Sequence, residues 1–206
     1  MTQSADKAMT EYQRLRRLML AAVISIIALF LVFGRSRQPE DIHEHIEWIG
    51  QMLILVGIGG RLWSTLYIGG RKSSEVVQTG PYSITRNPLY FFSAVAAAGV
   101  GGQMGSLVLM VTFGVLCWVA FSIVIRKEEE FLSAKLGKTY LDYVARVPRF
   151  IPNPALYRDE KLVSFQPSLL SRTLKDGLAF FISVPLFEFI EMLQNKGSIP
   201  VFFHLW

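Results

Sequence analysis

Of 206 residues, one is cysteine and three are histidine, and that scarcity removes several chemistries together. Cys117 alone cannot form an internal disulfide, and it leaves no thiolate set for a structural zinc site. It falls inside an apolar run, "GVLCWVAF", and reads as packing. No Ser/His/Asp set points to a hydrolase. The one G-x-G, in "GVGG" at 99–102, has no strand before it, so it is not a dinucleotide-binding fingerprint and reads as helix packing or a hairpin turn. Repeats and low-complexity tracts are absent. Charge is sparse as well: 18% of residues are Asp, Glu, Lys or Arg, against about 25% in soluble domains.

Apolar residues fill the gap. They make up 51% of the chain, and the mean hydropathy is +0.37. The charges are bunched between apolar stretches, as when the bilayer is the solvent. A net charge of +5 would suit nucleic acid in a soluble protein. Here the basic residues flank apolar runs, so an anionic membrane surface is the expected contact, with no nucleic acid.

Four or five spans are expected. "LMLAAVISIIALFLVF" (18–33) is short for a span, but Arg14, Arg16, Arg17, Arg35 and Arg37 flank it and can snorkel. A signal peptide is disfavoured, since no small-x-small cleavage site follows. Residues 46–68 form a second span, interrupted by Gly57, Gly59 and Gly60 and carrying Arg61 near its far end. Residues 89–102 and 106–125 form an apolar helical hairpin. Residues 177–193, with Pro185, Glu188 and Glu191, read as a broken or re-entrant helix. The fold class is therefore an all-α integral membrane protein, one domain over 1–206, with about five transmembrane or re-entrant helices and a cytoplasmic helical segment. Basic residues crowd the N-terminal arm, the 69–88 connector (Arg71, Lys72, Arg86) and the segment after residue 125. The positive-inside rule places all three on the cytoplasmic side, and the mixed 34–45 loop outside.

Two polar stretches share that face. "GPYSITRNPLY" (80–90) sets Arg86, Asn87, Tyr82 and Tyr90 on turn-rich backbone between Gly80-Pro81 and Asn87-Pro88, at the mouth of an apolar helix. "RKEEEFLSAKLGKTYLDYVARVPRFIP" (126–152) puts Glu128 and Glu129 directly beneath a span, where anionic residues need a task. Glu129, Leu132 and Leu136 follow helical spacing to Gly137, a helix end. Tyr140 and Tyr143 share a face on the next short helix, which "VPRFIP" stops around Arg149.

The ordered pair of stretches resembles the signature of integral-membrane methyltransferases of the isoprenylcysteine carboxyl methyltransferase and phospholipid methyltransferase family. Its elements, Gly-Pro-Tyr, Arg-His/Asn-Pro-x-Tyr, a hairpin, Glu-Glu-x-x-Leu, Phe-Gly, Tyr-x-x-Tyr and Pro-Arg-x-Ile-Pro, occur in order over about 50–152. Asn87 stands where the isoprenylcysteine branch commonly has histidine, and Leu136 where phenylalanine is usual. The resemblance implies S-adenosylmethionine as cofactor. Its implied binding residues are Tyr82, Arg86, Asn87, Tyr90, Glu128, Glu129, Tyr140, Tyr143 and Arg149, with Glu129 and Arg86 catalytic. The residue types suit that ligand: guanidinium for a carboxylate, carboxylates for a ribose diol or ammonium, tyrosine faces for adenine or sulfonium. A carboxylate acceptor needs no general base, whereas an amine acceptor would lose its proton to Glu129.

The implied partner is a lipid or lipid-tethered acceptor, entering through a groove between spans packed on Gly57, Gly59, Gly60 and "SAVAAAG". A nicotinamide-dependent membrane reductase and a non-catalytic membrane protein stay open as alternatives. His43 and His45, near Glu44 and Glu47, lack cysteine and a partner cluster, so no metal is expected. Arg61 reads equally as a snorkelling residue or as one meeting a headgroup or cofactor.

Overall fold

A computed structural model describes residues 31–69 and 75–205. The N-terminal arm and nearly all of the 18–33 segment lie outside the described residues, as do Arg71 and Lys72. Two compact units result, a larger one of Gln38–Phe187 and a smaller one of 31–37 with Glu188–Leu205.

The chain is mostly helical. In the larger unit, α1 (Glu40–Ile68) is followed by the short α2 (Pro81–Ile84), then α3 (Pro88–Gly102), α4 (Leu107–Leu136) and α5 (Lys138–Arg146). A 3-10 turn at Pro154–Leu156 precedes α6 (Pro167–Phe181) and α7 (Ser183–Asn195). Among the described residues, α1 and α4 are long and apolar enough to cross a membrane, and α3 is a shorter apolar helix.

One expected boundary moves and two are refined. The 34–45 stretch is not all loop. Helix α1 starts at Glu40 behind Pro39, with Glu40 and Asp41 in its first turn, where carboxylates complement the helix dipole. Helix α4 does not end at the apolar limit near residue 125. It continues to Leu136, about 45 Å of helix by its rise against a hydrocarbon core of roughly 30 Å, so its charged last turns project past the apolar part. The stretch at 177–193 is two elements parted at Ile182. Pro185 lies in the first turn of α7, where a missing N–H breaks no helical bond.

Close approach of α1 and α3 depends on small residues. A Cβ at Gly57 would lie 2.6 Å from that of Ala96, and one at Gly99 would lie 2.5 Å from the Gly50 carbonyl oxygen. Gly60 is covered by the Phe92 ring. Gly59 was expected in the same seam but faces open space. Residues 57, 59 and 60 span 300° of helix, so they cannot all share one face. Helix α6 lies along α1, with Gly177 against Ile58 and a hydroxyl pair of 3.0 Å between Thr65 and Thr173.

In the smaller unit, β1 (Gly34–Ser36) and β2 (Phe203–Leu205) form a parallel pair, Gly34 opposite Phe203. This short pair amends the all-α expectation. The Phe33 and Phe202 rings are 5.2 Å apart, and Gln194 donates to the Val32 and Gly34 carbonyls at 2.8 and 3.1 Å.

Candidate active site

Where α1 ends and α3 begins, the chain turns through 75–88 on backbone that only certain residues tolerate. Gly80 has φ +56°, and a Cβ there would lie 2.4 Å from the Tyr67 ring. Glycine is required for both reasons. Pro81 and Pro88 open α2 and α3 at positions that need no N–H. Gly137, also at φ +56°, joins α4 to α5 and turns the second motif back towards the first.

The two motifs are bound to each other by backbone and side chains. The Arg86 N–H donates to the Pro148 carbonyl at 2.9 Å, and the Asn153 N–H to that of Ile84 at 2.8 Å. Thr85, fully buried, donates to the Phe150 carbonyl at 3.0 Å. Asn87 Nδ2 donates to the Arg149 carbonyl at 2.9 Å, and the Tyr143 hydroxyl to that of Tyr82 at 2.7 Å.

At the centre is a charged clamp. Arg86 Nε donates to Glu129 Oε1 at 2.9 Å, and Arg149 reaches Glu129 Oε2 at 2.9 Å. Arg86 Nη1 also donates to the carbonyls of Val144 and Val147 at 2.7 and 3.2 Å. The Arg86 and Glu129 side chains are 7% and 10% exposed, that of Arg149 49%. Both Glu129 oxygens thus accept from guanidinium groups, an arrangement that ties α4 to the 86 and 149 backbones.

Around the clamp lies a cleft, open to solvent on one side and lined by both polar and apolar side chains. Of the expected site residues, Tyr82, Arg86, Asn87, Tyr90, Glu128, Glu129, Tyr140 and Tyr143 line it. Arg149 does not, and reaches it through Glu129 and Asn87. The Tyr90 hydroxyl donates to Glu128 at 3.0 Å. Tyr140 and Tyr143 are 4% and 3% exposed and pack with Val147 against Leu132 and Leu136, so they form wall more than stacking surface. Burial pushes the Tyr140 phenol up to about 12, and raises Tyr143 and Tyr82 as well. All three are neutral at physiological pH. The Tyr82 hydroxyl is buried with no hydrogen-bond partner among the described residues. An orphaned donor of this kind on a cleft wall fits a ligand with polar atoms.

Other contributors were not foreseen. Ile68, Val76, Val77 and Leu89 line the cleft. Beyond Pro152, a strap crosses behind it: Gly80 N–H donates to the Arg158 carbonyl at 2.7 Å, Arg158 N–H to Ser83 Oγ at 3.0 Å, and the Tyr67 hydroxyl to Asp159 at 2.5 Å. The tyrosine hydroxyl holds the Asp159 carboxyl below its usual range. Only the proline-rich composition of 148–154 hinted at an extended strap. His43 pairs with Glu47 one turn on at 3.1 Å, and His45 bonds the Asp41 carbonyl.

Two helices long and apolar enough to cross a membrane, with a tyrosine-, arginine- and glutamate-lined cleft at their ends, fit a membrane protein with a candidate ligand site there. The phospholipid methyltransferase family model matches residues 45–139, which include the cleft-lining parts of α1, α3 and α4. The chain is 32% identical over 187 residues to the nickel-cobalt-cadmium resistance protein NccN of Alcaligenes xylosoxydans xylosoxydans, covering 87% of this chain and 84% of that one. It is 29% identical to the cobalt-zinc-cadmium resistance protein CzcN of Cupriavidus metallidurans, over 86% and 82% of the two chains. With protein-S-isoprenylcysteine O-methyltransferase B of Arabidopsis thaliana it shares 27% identity, over 65% and 71%. No solved structure gives a significant match. The chain belongs to the membrane methyltransferase family that joins the isoprenylcysteine and phospholipid enzymes.

Proposed function

We propose that this protein transfers a methyl group from S-adenosylmethionine to a lipid or lipid-tethered acceptor, a carboxylate or an amine, at the cytoplasmic face of a membrane. The observation that carries the reading is the cleft itself, walled by both family motifs and holding the unpartnered Tyr82 hydroxyl. When bound, the cofactor supplies an electrophilic methyl on a sulfonium. Its chemistry fits the residues present: Tyr82 offers a free donor, Glu128 an acceptor for hydroxyl or ammonium, and the Tyr90 ring a π-face for a cation. Leu89, Leu132 and Leu136 give part of the cleft wall an apolar surface.

Within this reading, Arg86, Glu129 and Arg149 act by holding the 80–90 and 144–149 backbones in register, and Asn87 adds a second tie to Arg149. Glu128 stands on the cleft beside Tyr90, so it is better placed than Glu129 to take a proton from an amine acceptor. Cytoplasmic orientation rests on the basic residues at 71–86 and 126–138. A single functional domain over 1–206, with α3 and the 18–33 segment as further spans, agrees with relatives matched along 87% of the chain.

Calorimetry of detergent-purified protein with S-adenosylhomocysteine tests the cofactor. Labelled S-adenosylmethionine offered with total membrane lipid extract, or with water-soluble metabolites, tests the acceptor. No heat of binding overturns the reading, and label confined to the soluble pool overturns the lipid acceptor.

A further inference from the structure

Arg61 is a cation inside an apolar helix, seven residues before Ile68 and so two turns along the same face of α1. Ile68 lines the cleft. Arg61 Nη1 donates to Ser93 Oγ on α3, and Ser93 Oγ donates in turn to the Leu89 carbonyl at 2.7 Å. Leu89 lines the cleft too, four residues and about 6 Å of helical rise from Ser93. Cys117 of α4 approaches the Ser93 carbonyl from the third helix. The guanidinium therefore lies one to two helical turns from the cleft-lining Ile68 of α1 and Leu89 of α3.

Its hydrogen bonding is incomplete. Arg61 Nε is buried with no partner, although Ser93 already occupies Nη1. The acidic side chain acting on it electrostatically is Asp176 of α6, an exposed residue. An ionisable residue at such depth is costly unless it meets a counter-charge or a substrate. A guanidinium with a vacant Nε edge presents the planar fork that oxyanions favour.

We propose that Arg61, with Ser93, binds an oxyanion of the lipid acceptor's headgroup, a phosphate or carboxylate, one to two helical turns beyond the cleft-lining Ile68 and Leu89. This inference rests on the methyltransferase reading for its purpose, though not for its test. A phosphate held at Arg61 leaves the headgroup amine as the acceptor nearer the cleft, whereas a carboxylate held there is itself the acceptor and keeps its second oxygen free for the methyl.

The test uses the purified 206-residue protein in neutral detergent, with thermal shift and tryptophan fluorescence as readouts. Dihexanoylphosphatidylethanolamine is compared with dihexanoylglycerol, and N-acetyl-S-farnesylcysteine with its methyl ester, so each anion has an uncharged counterpart. At least one anion should bind, and its counterpart should bind at least several-fold more weakly. Which anion binds identifies phosphate or carboxylate as the natural group. Arg61→Gln should weaken that anion roughly tenfold or more, and Arg61→Lys, which keeps the charge without the fork, should recover only part. Affinity for S-adenosylhomocysteine should stay within about twofold in both variants. The inference is overturned if neither anion binds the wild-type protein, if counterparts bind as well, or if both variants bind like wild type. Parallel loss of S-adenosylhomocysteine would place Arg61 at the cofactor instead. Wild-type protein that binds an anion through Arg61 but no S-adenosylhomocysteine would refute the methyltransferase reading and leave the anion site standing.

Discussion

Glu129→Gln tests the clamp at its centre. The substitution keeps the size and one carbonyl oxygen but removes the charge between Arg86 and Arg149. Breaking a buried ion pair by removing one partner costs about 3–5 kcal/mol, and the Arg86–Glu129 pair is nearly closed to solvent. The glutamine oxygen can still accept from Arg86 Nε, which returns about 1 kcal/mol. Arg149 is half exposed, so its share is within about 1 kcal/mol. The expected loss is roughly 2–4 kcal/mol, concentrated where 86 meets 144–149. Converted at about 1.4 kcal/mol per decade, S-adenosylhomocysteine should bind about 30- to several-hundred-fold more weakly. Hydrogen exchange should rise at the Arg86 amide, which donates to Pro148, while α1 and α3 stay protected. Arg149→Ala should show the smaller effect. Affinity within threefold of wild type, with unchanged exchange at Arg86, would refute the clamp as the element that shapes the cleft.

Tyr82→Phe removes an unpartnered buried hydroxyl; stability should hold or rise slightly, while S-adenosylhomocysteine affinity falls about tenfold, measured by thermal melts and calorimetry. Gly57→Ala should lower stability by about 1–3 kcal/mol through overpacking against Ala96, whereas Gly59→Ala should be neutral or stabilising; melting temperatures in one detergent separate them. The depressed Asp159 carboxyl contributes stability that is present above the ordinary carboxylate range and lost only as pH falls through the lower folded value. Exchange at 157–160 should therefore stay slow from neutral pH to about pH 4 and quicken below it, and Asp159→Asn should abolish that dependence. Cysteines at the exposed Ala134 and Lys161 should react with an impermeant reagent from the cytoplasmic side only; labelling from outside would reverse the orientation.

Apolar periodicity and breaker residues marked much of this protein in advance. Long hydrophobic runs specify helices whatever their neighbours, because a bilayer leaves the backbone no other partner. Gly137 ends α4 because its left-handed φ is a local property of that residue. The pairing of 80–90 with 126–152 was also legible, since both carry polar residues that an apolar span excludes. Three-dimensional packing decided what those residues do. Glu129 reads along the chain as a candidate base, yet two arginines from 43 residues before and 20 after close over its oxygens. Gly57 and Gly59 look alike in sequence and differ only by the 200° that separates their helix faces. The strap from Arg158 and Asp159 to Gly80 and Tyr67 has no local pattern, because its bonds depend on where 75 or more residues of intervening chain return. Local conformation and hydropathy follow from each residue and its near neighbours. The partner of a charge follows from long-range packing.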